Sequence, residues 1–222
     1  MASWILHLRI AQALDGYLKP ADKTAYYVGT LAPDSGRLNG GFDYVPPKDV
    51  THWKREGVTH EERIECNREF FKKYIADERD DKRLSFYLGY YVHILADSLF
   101  VREVIRPYIQ KATREVWRAN IDKIRAGWYE IDFRFISAHK GFLPLEIISA
   151  VKDFPNEYLD YFARDDITER INYIKQLYST SLPDGSTELI TLDEPGADRF
   201  VDTAAKEIKN LIKNDMTVYR GV

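Results

Sequence analysis

The residues best able to do metal chemistry are scattered through the first hundred positions. Five histidines occur in the chain, His7, His52, His60, His93 and His139. His93 and Asp97 lie four residues apart within GYYVHILAD. On a helix that spacing puts both side chains on one face, about one turn apart. The surrounding residues are apolar, and an ionised carboxylate there is costly unless it is paired or bound to a metal. Imidazole and carboxylate are both zinc ligands. Taken alone, the pair is equally a His–Asp hydrogen bond within a core. Asp34, in TLAPDSG, is a turn cap or a ligand. His52, in VTHWK, sits at the end of a long loop, and loops carry more than their share of functional residues. His7 shares a helix face with Ile10, Ala11 and Leu14 and so points toward the core. As a set, His7, Asp34, His52, His93 and Asp97 offer nitrogen and oxygen donors without sulfur. That donor set suits zinc at a catalytic site, since structural zinc sites are dominated by cysteine.

The elements that must position these residues are helical throughout. The first helix is expected from about Ser3 to Leu18, ended by Pro20, and a second from Asp22 to Leu31. The segment PDSGRLNGGFDYVPPKDV follows, and its glycines and prolines exclude a long regular element. It exceeds the usual connection length, and such loops tend to be functional or disordered. Thr59 with Glu62 three residues on has the capping-box pattern for a helix reaching Tyr74. Leu84 to Ile105 is hydrophobic nearly all round, the mark of a central buried helix, and Pro107 is expected to end or kink it. Further helices are expected over Trp117–His139, Glu146–Asp153, Thr168–Tyr178 and Asp198–Asn214, with a helical turn opening at Pro155. SLPDGSTELITLDEPG reads as a loop. No repeat, low-complexity tract or alternating strand series is present. The expected fold is all-α, a multi-helix bundle forming one domain over residues 1–222, with its long functional loop between early helices.

Composition narrows the function classes. With 222 residues, 45% of them hydrophobic, the chain can bury one sizeable core. A net charge of −3 leaves no basic arm or groove, so no stable nucleic-acid complex is expected. Cys66 is the only cysteine, which excludes an intrachain disulfide and a cysteine metal cluster. The N-terminal MASWILHLRIAQAL is apolar but lacks a basic start and a small-residue cleavage site, so it is not read as a signal peptide. No stretch is read as long enough to span a bilayer, and the expected location is the cytoplasm.

The segments LHLRIAQAL, APDSG, THW and GYYVHILAD occur in the order found in the zinc-dependent phospholipase C family, which the chain resembles and whose fold is shared with the P1-type nucleases. The resemblance implies an all-α fold with two or more zinc ions at the base of a cleft. It implies one metal held by Asp34, His52, His93 and Asp97, and a second held by His7, with Asp97 bridging the two. Paired metals of this kind polarise a phosphoryl oxygen and acidify a bound water.

The chain also departs from the family. Secreted members use a processed N-terminal tryptophan as a ligand, whereas Trp4 here follows Met-Ala-Ser and is read as a core or lid residue. A third family zinc takes two histidines and a glutamate after the H-x-x-x-D pair, yet no histidine lies between His93 and His139. Glu103, Glu130, Asp132 and His139 are the possible replacements. Glu103 is more readily an ion-pair partner. Glu130 falls about 200° from Asp132 around a helix, so the two cannot serve one metal. Asp132 is the favoured ligand because it shares the aromatic face of Trp128. His60 is expected to face solvent, and Tyr90, Tyr91 and Trp128 to be core residues or pocket lining.

The expected activity is hydrolysis of a small-molecule or lipid phosphate ester, with Asp34 as ligand and base and the cleft roofed by the loop from Ser35 to Val50. The alternatives are a nuclease or nucleotidase of the same fold, or a non-catalytic helical module stabilised by metal.

Overall fold

The computed structural model describes all residues except Met1, 39–43, Glu56, Ser181 and Val222. Part of the expected roofing loop, 39–43, therefore lies outside the described residues. The fold is all-α, as the periodicity predicts.

The centre is α5, Asp81–Phe100, in which every residue from Ser85 to Phe100 is buried. Asp80 caps it by accepting from the Arg83 amide at 2.7 Å. Against it lie α1 (Trp4–Leu18) and α2 (Lys23–Leu31), the latter making the most extensive contact. Two glycines permit this approach. A Cβ on Gly89 would stand 2.0 Å from the Tyr26 carbonyl oxygen, and one on Gly29 would stand 2.1 Å from that of Phe86. Only a residue without Cβ lets two helix backbones meet so closely.

After α2, a 3-10 turn over Ala32–Asp34 leads to a two-residue hairpin. Its strands β1 (Arg37–Leu38) and β2 (Tyr44–Val45) are antiparallel, Arg37 opposite Val45 and Leu38 opposite Tyr44. The short α3 (Lys48–Thr51) follows, and then α4 (His60–Phe70). The capping box at α4 is present in full, with Thr59 Oγ1 accepting from the Glu62 amide and Glu62 accepting from the Thr59 amide.

Of the two outcomes expected at Pro107, an end or a kink, the helical path does not end there. The chain passes from α5 through a π-helical turn, Val101–Ile105, into α6 (Arg106–Ala112). A wider turn relieves the proline's missing N–H and its clash with the preceding carbonyl. The resulting span, Asp81–Ala112, is long and apolar enough to cross a membrane by length and composition, contrary to the expectation that no stretch approaches this. Its apolar window is 89% buried within the protein, so it serves as the core helix.

The remaining helices are α7 (Arg114–Ala138), α8 (Leu143–Ala150), α9 (Asp166–Thr180) and α10 (Glu194–Arg220). The helical turn expected at Pro155 is absent. Asn156 instead organises that segment, donating to the carbonyls of Leu159 and Phe162 and accepting from the amides of Tyr158 and Leu159. A side-chain amide that satisfies the local backbone removes the need for helix bonds. The last helix starts earlier than expected, because Asp193 caps it and Pro195 occupies the first turn. It packs along α1 and so helps to hold the histidine-bearing helix in the core.

Candidate metal centre

Three segments distant in sequence converge beside α5. His7 comes from α1, Asp34 from the 3-10 turn after α2, His52 from the end of α3, and His93 and Asp97 from α5. His7 and His93 are fully buried, while Asp34, His52 and Asp97 retain at most 8% exposure. The rings of His7 and His93 stack with centroids 3.7 Å apart. His52 meets His93 edge-on at 5.3 Å.

Asp97 stands between the histidines. Its Oδ1 is 3.3 Å from His7 Nε2, and its Oδ2 is 3.5 Å from His52 Nε2 and 3.9 Å from His93 Nε2. Asp34 Oδ1 is 3.5 Å from His52 Nε2. Two groups can accommodate an ion, one of His7, His93 and Asp97 and the other of Asp34, His52 and His93.

The ring nitrogens fit a metal. Among the described residues, His7 Nε2, His52 Nε2 and His93 Nε2 are buried without a hydrogen-bond partner, and so is His7 Nδ1. Buried nitrogens of this kind are costly, yet here they converge. His93 Nδ1 lies 2.8 Å from the Thr30 carbonyl. A carbonyl only accepts, so Nδ1 carries the proton and Nε2 presents its lone pair to the cluster. A histidine ligand typically donates its second nitrogen to an oxygen in this manner. His52 Nδ1 is 2.8 Å from Thr51 Oγ1.

Electrostatics keep the ligands in binding form. Burial pushes His52 below its usual range, opposed by Asp34 and Asp97. Burial, reinforced by neighbouring His7, pushes His93 well below it. Both are thereby neutral near pH 7. Burial would raise Asp34, but Lys48 and the histidines outweigh it and hold the carboxyl well below its ordinary value. Burial of Asp97 is likewise outweighed, by positive charge at the amino terminus and by His7 and His93. Both carboxylates are ionised.

Sequence reasoning missed the residues that surround the ligands. The Trp4 indole N–H donates to Asp34 Oδ2 at 2.8 Å, and Lys48 Nζ donates to Asp34 Oδ1 at 2.6 Å. The Ala2 amide donates to Asp97 Oδ1 at 2.9 Å. Trp4 is thus neither lid nor plain core. Only its proximity to His7 in sequence hinted at this, and nothing in the sequence marked Lys48 or the Thr30 carbonyl.

The structure does not bring Asp132 to the cluster. It belongs to neither donor group, and it accepts from Ser3 Oγ at 2.6 Å, Tyr178 Oη at 2.6 Å and the Ile5 amide at 3.4 Å. Its place on α7 puts it under the start of α1, where three donors occupy its oxygens. Burial pushes its carboxyl up to about 7, against the lowering effect of those hydrogen bonds. The other candidates for the third site also have different partners. Glu103 pairs with Arg102. Glu130 accepts from the amides of Asp184 and Gly185 and from Arg134, tying down the loop after α9. His139 is exposed and stacks on Phe135. His60, expected in solvent, is half-buried against Arg102.

A cleft of about 530 Å³ opens beside Asp34, lined also by Trp4, Tyr44, Lys48, Trp128 and Tyr129. Tyr90 and Tyr91 are fully buried core residues. Of the five converging residues Asp34 alone lines the cleft, so it is the link between the buried cluster and the opening.

The sequence matches the zinc dependent phospholipase C family over residues 4–178. The chain belongs to the zinc-dependent phospholipase C family. The match runs from the first residue of α1 almost to the end of α9 and includes all five converging residues, whereas α10 lies beyond it. No curated protein and no solved structure matches the chain. Within the zinc-dependent phospholipase C family, this chain has the buried histidine and aspartate groups that a metal requires.

Proposed function

We propose that this chain is a zinc-dependent hydrolase of phosphate esters in which Asp97, set between His7 on one side and His52 and His93 on the other, would offer one oxygen to each side of the metal centre. The observation that carries the reading is the division of Asp97, whose Oδ1 faces His7 while its Oδ2 faces His52 and His93. Asp34, His52 and His93 would hold one ion, and His7 and Asp97, with His93 beside them, would hold the other.

Zinc held by these residues would supply Lewis acidity toward a phosphoryl oxygen and acidify a bound water. The chain's residues do the remainder. Thr30 fixes the His93 tautomer through its carbonyl. Trp4 holds one oxygen of Asp34 and so orients the other toward His52. Asp34, ionised and at the cleft wall, is both ligand and proton acceptor for the attacking water. Lys48 lines the same cleft and can donate to a phosphoryl oxygen as charge develops there.

The test is zinc content together with turnover of bis(p-nitrophenyl) phosphate and p-nitrophenyl phosphate. Two zinc ions per chain, with turnover lost on chelation while helicity is kept, is the expected result. Protein that takes up no zinc when it is supplied would exclude the centre.

A further inference from the structure

The cleft beside Asp34 carries more positive charge than a single phosphodiester requires. Among the described residues four cations line it, Lys48, Lys54, Arg125 and Arg170, against one lining carboxylate, Asp34, which Lys48 pairs at 2.6 Å. Behind the lining, Asp97 accepts from the Ala2 amide and Asp132 from Ser3 Oγ, and two of the other cations have acidic partners. Asp49 is 3.3 Å from Lys54, and the almost fully exposed Asp122 is 3.9 Å from Arg125. Arg170 makes no ion pair among the described residues, and its Nε is buried without a hydrogen-bond partner. Its Nη2 donates at 3.4 Å to the Gly36 carbonyl. Ligated zinc would add further positive charge on the same wall.

Aromatic walls can hold a quaternary ammonium group through their π faces. Here the chain's own cations already take up several of those faces. Arg170 stands 5.7 Å from the Trp4 ring and 5.5 Å from that of Tyr173, and Lys48 stands 4.9 Å from that of Tyr44. A cationic headgroup entering the cleft meets like charge and, among the described residues, no unpaired lining carboxylate. An anionic one meets donors and is drawn in, since a cleft of one sign concentrates ligands of the other.

We infer that the cleft selects phosphate esters that keep at least two net negative charges, and rejects esters of quaternary-ammonium alcohols, whose cationic head offsets one of them. The aromatic and apolar lining, including Trp117, Ile121 and Trp128, accommodates an apolar or ring-bearing group attached to the phosphate. The shared chemistry is a phosphate dianion on an apolar body, met both in anionic lipid headgroups and in small soluble esters. This inference rests on the proposed hydrolase reading for its catalytic meaning, but the selection itself is a binding property.

Three of the chain's four tryptophans line the cleft, so intrinsic fluorescence reports binding without turnover. Full-length protein, with and without zinc, is titrated with phenylphosphonate and with phosphocholine. The expected result is saturable quenching by phenylphosphonate at concentrations at least about tenfold below any effect of phosphocholine. The Lys54→Gln/Arg125→Gln double variant alters two partly exposed side chains (33% and 60%). It is expected to weaken phenylphosphonate about tenfold, as the loss of two solvent-exposed charge contacts would, and to leave phosphocholine binding unchanged or stronger.

Equal or tighter binding of phosphocholine, or a double variant that weakens both ligands alike, overturns the inference. Turnover is then followed on p-nitrophenyl phosphate, on p-nitrophenyl phosphorylcholine, on a nucleoside monophosphate, and on phosphatidylcholine vesicles doped with phosphatidate. The last two arms separate a soluble source from a lipid one. Preferential dianion binding without turnover of any ester keeps the selection and removes the hydrolase reading. Turnover led by the choline esters does the reverse.

Discussion

Substituting asparagine for Asp97 separates a bridge from an ordinary ligand. Asparagine keeps the shape but offers one carbonyl oxygen, and its amide turns a donor toward either His7 or the His52–His93 pair. Asp97 presents an oxygen to each donor group, whereas Asp34 presents one only to His52. Asp97→Asn is therefore expected to lose both ions, and Asp34→Asn only one. At free zinc near 100 times Kd, each occupied site stabilises the fold by about 2.7 kcal/mol. Two sites then give about 5 kcal/mol, which for a chain of this size is a rise of roughly 10–20 °C in Tm. Asp34→Asn should keep about half of that rise and Asp97→Asn little of it. The assay is elemental zinc content alongside thermal melts with zinc and with chelator, and far-ultraviolet circular dichroism to check that both variants are folded. If Asp97→Asn retains as much zinc as Asp34→Asn, the bridging argument is wrong.

Other substitutions test the surrounding structure. Trp4→Phe preserves a ring in the core but removes the donor to Asp34, and by analogy with other outer-shell partners should lower zinc affinity about 10- to 100-fold without loss of helicity, measured by competition with a chelating dye. Gly89→Ala drives a Cβ to 2.0 Å from the Tyr26 carbonyl and should destabilise by about 3 kcal/mol or more in denaturant melts, since backbone cannot move aside as a side chain would. The same change displaces Thr30, so it should also weaken zinc binding. Asp132 has a folded pKa of about 7 against an ordinary 3.8, so the folded state favours its neutral form. Its stabilising effect is complete below about pH 4 and is lost as pH rises through 7, a change of at most about 4 kcal/mol. Wild type should therefore lose stability between pH 5 and 8 relative to Asp132→Asn, and parallel melting curves across that range would contradict the assignment.

The legible part of the site was the part written in local pattern. GYYVHILAD is apolar around His93 and Asp97, so periodicity alone placed both on one face of a buried helix. His7 on the apolar stripe of α1 was legible for the same reason. Capping chemistry at Thr59 was also readable, because a cap lies within three residues of what it caps. Asp132 shows the limit. It shares a helix with Trp128 and looked as suitable as any ligand, but whether a carboxylate reaches a metal or a serine depends on which helix end lies above it.

The nitrogen and oxygen donors, without sulfur, and their order along the chain pointed to the zinc-dependent phospholipase C family, which the match over residues 4–178 shows. The helical periodicity determined that α-helices would carry it. Tertiary structure alone decided that Asp97 turns one oxygen to His7 and the other to His52 and His93. It also decided that Thr30 and Trp4 orient the ligands and that four cations line the cleft. Sequence spacing fixes neighbours along one element. The direction of a side chain across the gap between elements is set by how closely the helices pack, and here by the two glycines that let α2 and α5 touch.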